Sequence, residues 1–285
     1  MDIYQRIWDA DMMGNGIRPI TAKENRNLSE GFVVVDLESC GPEHSLFKEV
    51  HIPDHKRGSY QLVEKLFDNY ALDQTRKERN SRSESREVQE FLLTAMETPP
   101  LRVAKEYMEK TSGVQIGDQE WYTYLHDRWF RQFNWDSGKD LSGFEHVFIG
   151  EQNRKRLVGH HFWYKYYLED NPDLNKLHQD QIELDCLNLE IQKRTAPYVL
   201  TMGYHLKAFD YEKRRFIDIS KKRCGFFVGM SAEGLLALGT VRAMLNEEAV
   251  EYFTLNGVKY QLELFMSPDN KCIRTFYPMS ENPDS

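Results

Sequence analysis

The order of hydrophobic patterns along the 285-residue sequence predicts an α+β protein. Between residues 61 and 135, apolar residues recur every three or four positions, as in amphipathic helices. After residue 140 the sequence changes to short apolar or alternating runs, which favour strands, and two helical patterns interrupt them. Helices followed by strands with a few further helices are typical of this fold class.

The first 140 residues divide into two predicted parts. Residues 1–60 are an N-terminal extension of uncertain structure, in which only VVVDL at 33–37 predicts a strand. Residues 61–140 form a helical subdomain of about four helices. Pro99 and Pro100 end one of these helices and begin the next, because proline suits a first turn but breaks a helix interior.

Residues 141–285 form the predicted C-terminal subdomain. Its helices are expected at about 160–170 and 232–246. Its strands are expected at 144–149, 181–191, 198–206, 214–220, 225–229, 250–255, 258–265 and 272–277.

Composition excludes several classes of protein. The sequence contains no run of eighteen apolar residues, so it predicts no membrane helix. The start, MDIYQRIWDADMMGN, carries acids where a secretion signal needs a basic end and an apolar stretch. The four cysteines are scattered and form no CxxC pair, which argues against a zinc cage or a disulfide scaffold. We therefore expect a cytoplasmic protein that does not enter membranes.

The net charge of −8 argues against a nucleic-acid partner, since the surfaces that bind nucleic acids are usually basic. The histidines point the other way. His146 lies in SGFEHVFIGE, and His161, fifteen positions later, lies in LVGHHFWYKYYLED. A basic run at 154–156 lies between them. This spacing predicts a strand, a basic turn and a helix that begins near His160, so that two imidazoles can face one cleft.

Two histidines beside a phosphodiester can share acid and base work, because one takes the proton of an attacking hydroxyl and the other protonates the leaving oxygen. A lysine stabilises the charge that grows at phosphorus, and Lys221 and Lys222, in SKKRCGFFVG, are candidates. Spacing alone also permits ordinary surface or core histidines, a solvated Lys-Lys-Arg edge and a purely structural aromatic stripe.

These segments resemble the EndoU family of endoribonucleases. In that family a FEHV-type segment and a glycine-x-histidine segment carry the two catalytic histidines. LFDNYAL (66–72), EFLLTAMETPPLRVAKEYM (90–108) and RWFRQF (128–133) are similar to the helical half of animal and bacterial members. CIRTFYP (272–278) is similar to the closing strand of the coronavirus replicase uridylate-specific endonuclease. The resemblance covers about residues 60–278. It implies a helical half packed on a catalytic half of two small antiparallel sheets with flanking helices.

The resemblance also implies the catalytic residues. His146 matches the first catalytic histidine, and His161, rather than His160, matches the second. Lys221 matches the catalytic lysine, with its neighbour Lys222 as the alternative.

Five further positions are implied. Thr275 and Tyr277 match substrate-binding positions and share a face if they lie on a strand. Gly225 stands where many members carry a serine or threonine that helps to read uracil, which puts strict uridine preference in doubt. Glu145 and Glu151 match acidic positions around the first histidine, where they support it or simply cap a turn.

The implied reaction is transesterification of single-stranded RNA, preferentially at uridines. The 2′-oxygen attacks phosphorus and leaves a 2′,3′-cyclic phosphate and a 5′-hydroxyl. We assign His161 as the base and His146 as the acid, although the pair could exchange roles, and Lys221 as the group that stabilises charge. No cofactor is required for the chemical step, and no metal ligands are assigned, while the resemblance implies stimulation by Mn²⁺. The alternatives are an RNA-binding member that no longer cuts and a cyclic phosphodiesterase.

The expected partner is single-stranded, uridine-containing RNA, and the sequence indicates no particular protein partner. The acidic net charge does not exclude RNA, because screening in physiological salt limits the reach of distant acids to about 8 Å. Basic residues cluster in the C-terminal half, so we expect weak, salt-sensitive RNA affinity. These residues are Arg154, Lys155, Arg156, Lys213, Arg214, Arg215, Lys221, Lys222 and Arg223.

Overall fold

The computed structural model describes residues 2–36, 45–171, 173–174, 181–190, 197–210, 214–245 and 251–280. The helices are α1 (Ile3–Met13), α2 (Asp54–Glu64), α3 (Arg82–Met96), α4 (Pro99–Ser112), α5 (Asp118–Trp129), α6 (Trp163–Asp170) and α7 (Ala232–Met244). The strands are β1 (Arg18–Ile20), β2 (Phe32–Val35), β3 (Phe47–His51), β4 (Phe133–Trp135), β5 (Gly138–Leu141), β6 (Glu151–Asn153), β7 (Arg156–Val158), β8 (Gln181–Glu190), β9 (Val199–Asp210), β10 (Arg215–Phe227), β11 (Glu251–Leu255), β12 (Val258–Met266) and β13 (Ile273–Ser280).

The predicted α+β class is confirmed, and α7 is the central helix of the core. Its residues are buried nearly all round, which is the pattern of a helix enclosed by other elements. It packs against α1, α2, α4 and α5 on the helical side and against β12 and β13 on the other. One continuous hydrophobic core therefore joins the helical half to the C-terminal half.

The predicted helices between 61 and 135 are present as α3, α4 and α5, with α2 beginning earlier than expected. Ser81 caps α3 in a capping box with Glu84, and Pro99 and Pro100 open α4 as the sequence predicts. None of the helices in the described part of the chain is both long enough and apolar enough to cross a membrane.

The N-terminal residues are part of the body of the protein. Helix α1 begins at the Asp2 cap, buries Ile7 and Trp8, and packs on α4 and α7. Strands β1, β2 and β3 form a small sheet in that order, and the predicted strand at 33–37 corresponds to β2. The segment that the sequence left unassigned thus contributes to the same core.

Two sheets form the C-terminal half. The first has the strand order β6-β7-β10-β9-β8, and the second has the order β11-β12-β13. The expectation that both are antiparallel is wrong at one place, because β7 runs parallel to β10. Strand β13 also lies against β9 and β10, and the backbone N–H of Ser280 donates to Oγ1 of Thr201. The two sheets therefore meet along β10 and β13.

Three local predictions are wrong. Residues 144–149 do not form a strand, because Glu145–Ile149 is a short π-helix. The expected strands 214–220 and 225–229 are one strand, β10, with a bulge after Lys221. The helix expected from about residue 160 begins at Trp163, since the residues before it form a tight turn.

Candidate active site

The first candidate histidine, His146, lies in the π-helix. Its N–H donates to the carbonyl of Ser142, and the helix closes where the N–H of Gly150 donates to the carbonyl of Glu145 at 2.8 Å. Such single-turn π-helices frequently occur at functional sites. This π-helix packs against β13, and both Glu145 and His146 are buried.

A turn at residues 159–161 brings the second histidine to the first. Gly159 has φ +69°, and a Cβ at this position would lie 1.9 Å from the carbonyl oxygen of His146, so only glycine fits. The N–H of His160 donates to the carbonyl of His146 at 2.7 Å, and that of His161 to the carbonyl of Val147 at 2.6 Å. The imidazole centroids of His146 and His161 are consequently 6.3 Å apart.

The environment of His146 combines burial with a carboxylate. Its Nδ1 lies 3.4 Å from Oε2 of Glu151, and Arg274 donates to both oxygens of that glutamate at 2.8 Å. Burial and the charge of Arg274 lower the pKa of His146 to about 4, while Glu151 opposes this shift. Burial would raise the pKa of Glu151, but His146 and the Arg274 guanidinium together lower it to about 2. The contact at 3.4 Å is an ion-pair contact without hydrogen-bond geometry, and the negative charge of Glu151 favours a proton on Nδ1, which leaves Nε2 for chemistry.

The environment of His161 is cationic. Its Nδ1 lies 3.2 Å from the carbonyl oxygen of Gly225, which can only accept, so the neutral ring carries its proton on Nδ1. Its ring stacks on Tyr277 with centroids 4.3 Å apart and planes 9° apart. Burial and the nearby Lys221 lower the pKa of His161 well below its usual value. The lone pair on Nε2 is therefore available at neutral pH.

The two adjacent lysines have different surroundings. Lys221 pairs with the buried Tyr204 across β9 and β10, so its side chain points to the inner face, and Nζ donates to the carbonyl of Gly159 at 2.6 Å. Burial lowers the pKa of Lys221. Lys222 is exposed on the opposite side of the strand. The structure therefore brings Lys221, and not Lys222, to the histidines.

The three candidate substrate-binding residues lie where β10 and β13 meet. Thr275 and Tyr277 share a face of β13, as the sequence predicts, and both are partly exposed. Oγ1 of Thr275 has no hydrogen-bond partner among the described residues. A Cβ on Gly225 would lie 1.6 Å from the carbonyl oxygen of Pro278. The close approach of the two strands thus excludes any side chain at residue 225.

The two candidate glutamates differ in their partners. Glu151 is held by Arg274, whereas Oε2 of Glu145 is buried with no hydrogen-bond partner among the described residues. Burial, together with the charges of Glu151 and Glu78, raises the pKa of Glu145 well above its usual value. Glu151 therefore acts on His146 directly, and Glu145 lies behind it as a buried acid.

Sequence reasoning missed Arg274 and Cys224. Arg274 holds Glu151, and Cys224 lies in contact with His161, with Sγ 3.4 Å from Nδ1. Burial raises the pKa of Cys224 to about 11, so it is a thiol at neutral pH. No local sequence pattern identifies either residue, because their partners are distant along the chain.

Three of the basic residues predicted to meet RNA lie beside β10, the strand that carries Lys221. Arg154, Lys155 and Arg156 are exposed on the turn between β6 and β7, and the N–H of Ser220 on β10 donates to the carbonyl of Lys155. Lys213 lies outside the described residues.

No metal site is evident from the donor set. Within the described ranges, no group of three or more His, Cys, Asp or Glu side chains is arranged to hold a metal ion. Both oxygens of Glu151 bind Arg274, which leaves Glu145 as the acid beside His146 with an unpartnered oxygen. These residues do not fit a manganese ion, so no step below passes through one, and stimulation by Mn²⁺ stays a prediction.

A family model described as endoribonuclease XendoU matches residues 2–278. Uridylate-specific endoribonuclease C of Danio rerio is 26% identical over 287 residues, covering 97% of this chain and 86% of that protein. Poly(U)-specific endoribonuclease-A of Xenopus laevis is 24% identical over 298 residues, covering 99% of this chain and 94% of that protein. The solved structure of XendoU, titled a splicing independent snoRNA processing endoribonuclease, superposes with a TM-score of 0.69 at 21% identity, covering 98% of this chain and 96% of that one.

Proposed function

The chain belongs to the XendoU family of endoribonucleases, and from this premise we propose that it cleaves single-stranded RNA, preferentially at uridines, by 2′-hydroxyl transesterification. The observation that carries the proposal is the pair of imidazoles 6.3 Å apart, with the Glu151 carboxylate 3.4 Å from His146 and the Lys221 ammonium bound to the carbonyl of Gly159, two residues before His161. Groups whose environments differ in this way are suited to opposite proton-transfer roles.

His161 is the general base. Its Nδ1–H is held by the carbonyl of Gly225, so Nε2 takes the proton from the 2′-hydroxyl as the 2′-oxygen forms its bond to phosphorus. The charge of Lys221 disfavours a protonated ring in the free enzyme, which keeps the base in its working form.

His146 is the general acid. The bond from phosphorus to the 5′-oxygen breaks, and the Nε2–H of the protonated His146 gives its proton to that oxygen. Glu151 stabilises the imidazolium through Nδ1. A bound phosphodiester adds negative charge at the site and further favours the protonated ring, whose pKa is low in the free enzyme.

Lys221 stabilises the negative charge that develops on the non-bridging oxygens at phosphorus. Its ammonium is fixed by the carbonyl of Gly159 and has further N–H groups to donate. The products are a 2′,3′-cyclic phosphate and a 5′-hydroxyl.

Base preference rests on Tyr277 and Thr275. Tyr277 stacks on the ring of His161, and Thr275, whose buried hydroxyl has no hydrogen-bond partner among the described residues, lies on the same strand face. Gly225 contributes only backbone. The names of the relatives, uridylate-specific and poly(U)-specific, support uridine as the preferred base.

The test uses a mixed-sequence RNA and the same RNA with 2′-deoxyuridine at the cleaved positions, each with chelator and with added Mn²⁺. We expect cleavage of the first RNA only, with cyclic phosphate ends. H146A, H161A and K221M should lose at least about 10²-fold in rate, whereas K222M, whose side chain is exposed, should cut normally. Cleavage of the deoxy substrate would refute attack by the 2′-oxygen.

The same experiment separates the alternatives. Binding without any product after long incubation would identify a member that no longer cuts. Rapid opening of a free 2′,3′-cyclic nucleotide, with no cleavage of RNA, would identify a cyclic phosphodiesterase.

A further inference from the structure

His160, the neighbour of the proposed base, is a buried residue in a strained backbone conformation. Its φ is +63°, in the left-handed region that residues other than glycine rarely adopt. Such a conformation costs free energy and persists only where the surroundings fix it. Because His160 lies between Gly159 and His161, its backbone sets the direction in which the His161 ring leaves the turn.

The imidazole of His160 is fixed at both of its nitrogens. Nδ1 lies 2.5 Å from Oη of Tyr204 on β9, and Nε2 lies 2.7 Å from Oε2 of Glu169 on α6. The other oxygen of Glu169 binds Lys165, one turn earlier on the same helix. The four side chains form one buried polar cluster between the helix and the sheet, in which Nε2 of His160 meets Oε2 of Glu169 as an ion-pair contact without hydrogen-bond geometry.

The protonation states of these four side chains follow from the charged pair of Lys165 and Glu169. Glu169 binds Lys165 and is negatively charged, so its oxygen 2.7 Å from Nε2 favours the proton of the neutral His160 ring on that nitrogen. Nδ1 then accepts the O–H of Tyr204, whose pKa is raised by burial. Nδ1 therefore has a hydrogen-bond donor and Nε2 lies against a carboxylate, and burial favours the neutral ring by lowering its pKa.

The backbone of the same turn holds the site together. The N–H of His160 donates to the carbonyl of His146, and its carbonyl accepts from Sγ of Cys224 at 3.0 Å. The carbonyl of Gly159 accepts from Lys221. Rotation of this turn would therefore shift both histidines and the lysine relative to one another.

We propose that His160, held by Tyr204 and Glu169, is a positioning residue that locks the turn at 159–161 in the conformation needed to set His146 and His161 for catalysis. His160 itself does not contact the substrate. This inference rests on the proposed function, because it concerns the geometry of the same two histidines.

The test compares H160F, which keeps a ring but removes both nitrogens, with Y204F, which removes one partner. Misplacement of a reacting group by about 1 Å can cost about 10²-fold in rate. We therefore expect kcat to fall about 10²-fold in H160F and about 10-fold in Y204F, where one neutral hydrogen bond is lost, with KM within about twofold. All rates are measured well below the unfolding temperature of each variant.

Y166F is the matched control. Tyr166 lies in the same aromatic cluster, with its ring centroid 5.2 Å from that of Tyr204, but its hydroxyl has no hydrogen-bond partner among the described residues. Its kcat should be unchanged. The double variant H160F/Y204F should equal H160F, because Tyr204 acts through His160.

A second readout does not depend on cleavage. The His161 ring stacks on Tyr277, so its imidazole protons experience the ring current of the tyrosine. Their NMR signals should shift in H160F and Y204F and stay in place in Y166F. If H160F does not fold, Y204F gives the same comparison.

Any of three results would overturn the inference. They are a wild-type kcat in H160F, losses in kcat that multiply in the double variant, and unchanged NMR signals of His161 in the variants. If the wild-type enzyme does not cut RNA, the proposed function fails, while the NMR comparison still decides whether His160 orients His161.

Discussion

The close approach of β10 to β13 at Gly225 predicts that G225S, which adds a side chain with a hydroxyl, lowers both stability and activity. A Cβ at this position would lie 1.6 Å from the carbonyl oxygen of Pro278 and 2.8 Å from its carbonyl carbon. Non-bonded heavy atoms need about 3.5 Å, so the two strands must separate by about 2 Å. Both obstructing atoms belong to the backbone, so no side-chain rotation can relieve the clash.

This separation acts directly on the site. The carbonyl of Gly225 holds Nδ1 of His161, and Tyr277 on β13 stacks on the same ring. Moving β13 away from β10 therefore pulls the two supports of His161 apart. We expect G225S to lose about 10²-fold or more in kcat. We expect a loss of about 3 kcal/mol in the free energy of unfolding, the upper range for overpacking, and a Tm lower by roughly 5–10 °C.

The assay combines thermal unfolding with cleavage of matched uridine and cytidine substrates. G58S is the control, because a Cβ on Gly58 in α2 meets nothing within 4 Å. It should change the free energy of unfolding by less than about 1 kcal/mol and leave the rates unchanged. A G225S variant with wild-type Tm and faster, more selective cleavage at uridine would refute the reasoning.

Three further predictions concern buried charges. R274M leaves the carboxylate of Glu151 buried without its cation, so the free energy of unfolding by urea should fall by about 3–5 kcal/mol, and E151Q/R274M should recover much of this loss. The pKa of His146 is about 4 in the folded protein, against about 6.5 when unfolded, so the unfolded chain binds more protons between these values. The contribution of His146 to stability is present above pH 6.5 and is lost as the pH falls towards 4, and H146Q should show a flatter urea stability profile over that range. Burial raises the pKa of Asp11, which accepts the N–H of Ser231 at the start of α7, to about 7. The contribution of Asp11 to stability is therefore lost as the pH rises from about 4 to 7. D11N should remove this decrease in the free energy of unfolding by urea over that pH range. The same decrease in D11N would contradict the assignment.

The sequence predicted the C-terminal half better than the N-terminal half. Thr275 and Tyr277 were placed correctly on one strand face, because the side-chain period of a strand is fixed by its backbone. Helix α1 was missed although Asp2 caps it and Ile3 and Ile7 mark its buried face. Three acids and amides, Gln5, Asp9 and Asp11, interrupt that pattern, so the helical period is weak.

Other features have no local signal at all. Residues 144–149 contain apolar residues that fit a strand or a helix equally well, and only packing of Phe144 and Phe148 into the core decides for the π-helix. The ion pair of Arg274 with Glu151 joins residues far apart in the chain. Both His160 and His161 are buried, and only the fold reveals that one faces Glu169 and the other Tyr277.

A change of leaving group tests most directly whether His161 is the base and His146 the acid. An RNA whose scissile 5′-oxygen is replaced by sulfur needs no proton on its leaving group, because a thiolate leaves readily without one. H146A should therefore cut this substrate to within about 10-fold of the wild-type rate, while H161A, which lacks the base, should remain about 10²-fold or more slower. Recovery of H161A instead of H146A would contradict the assignment of acid and base.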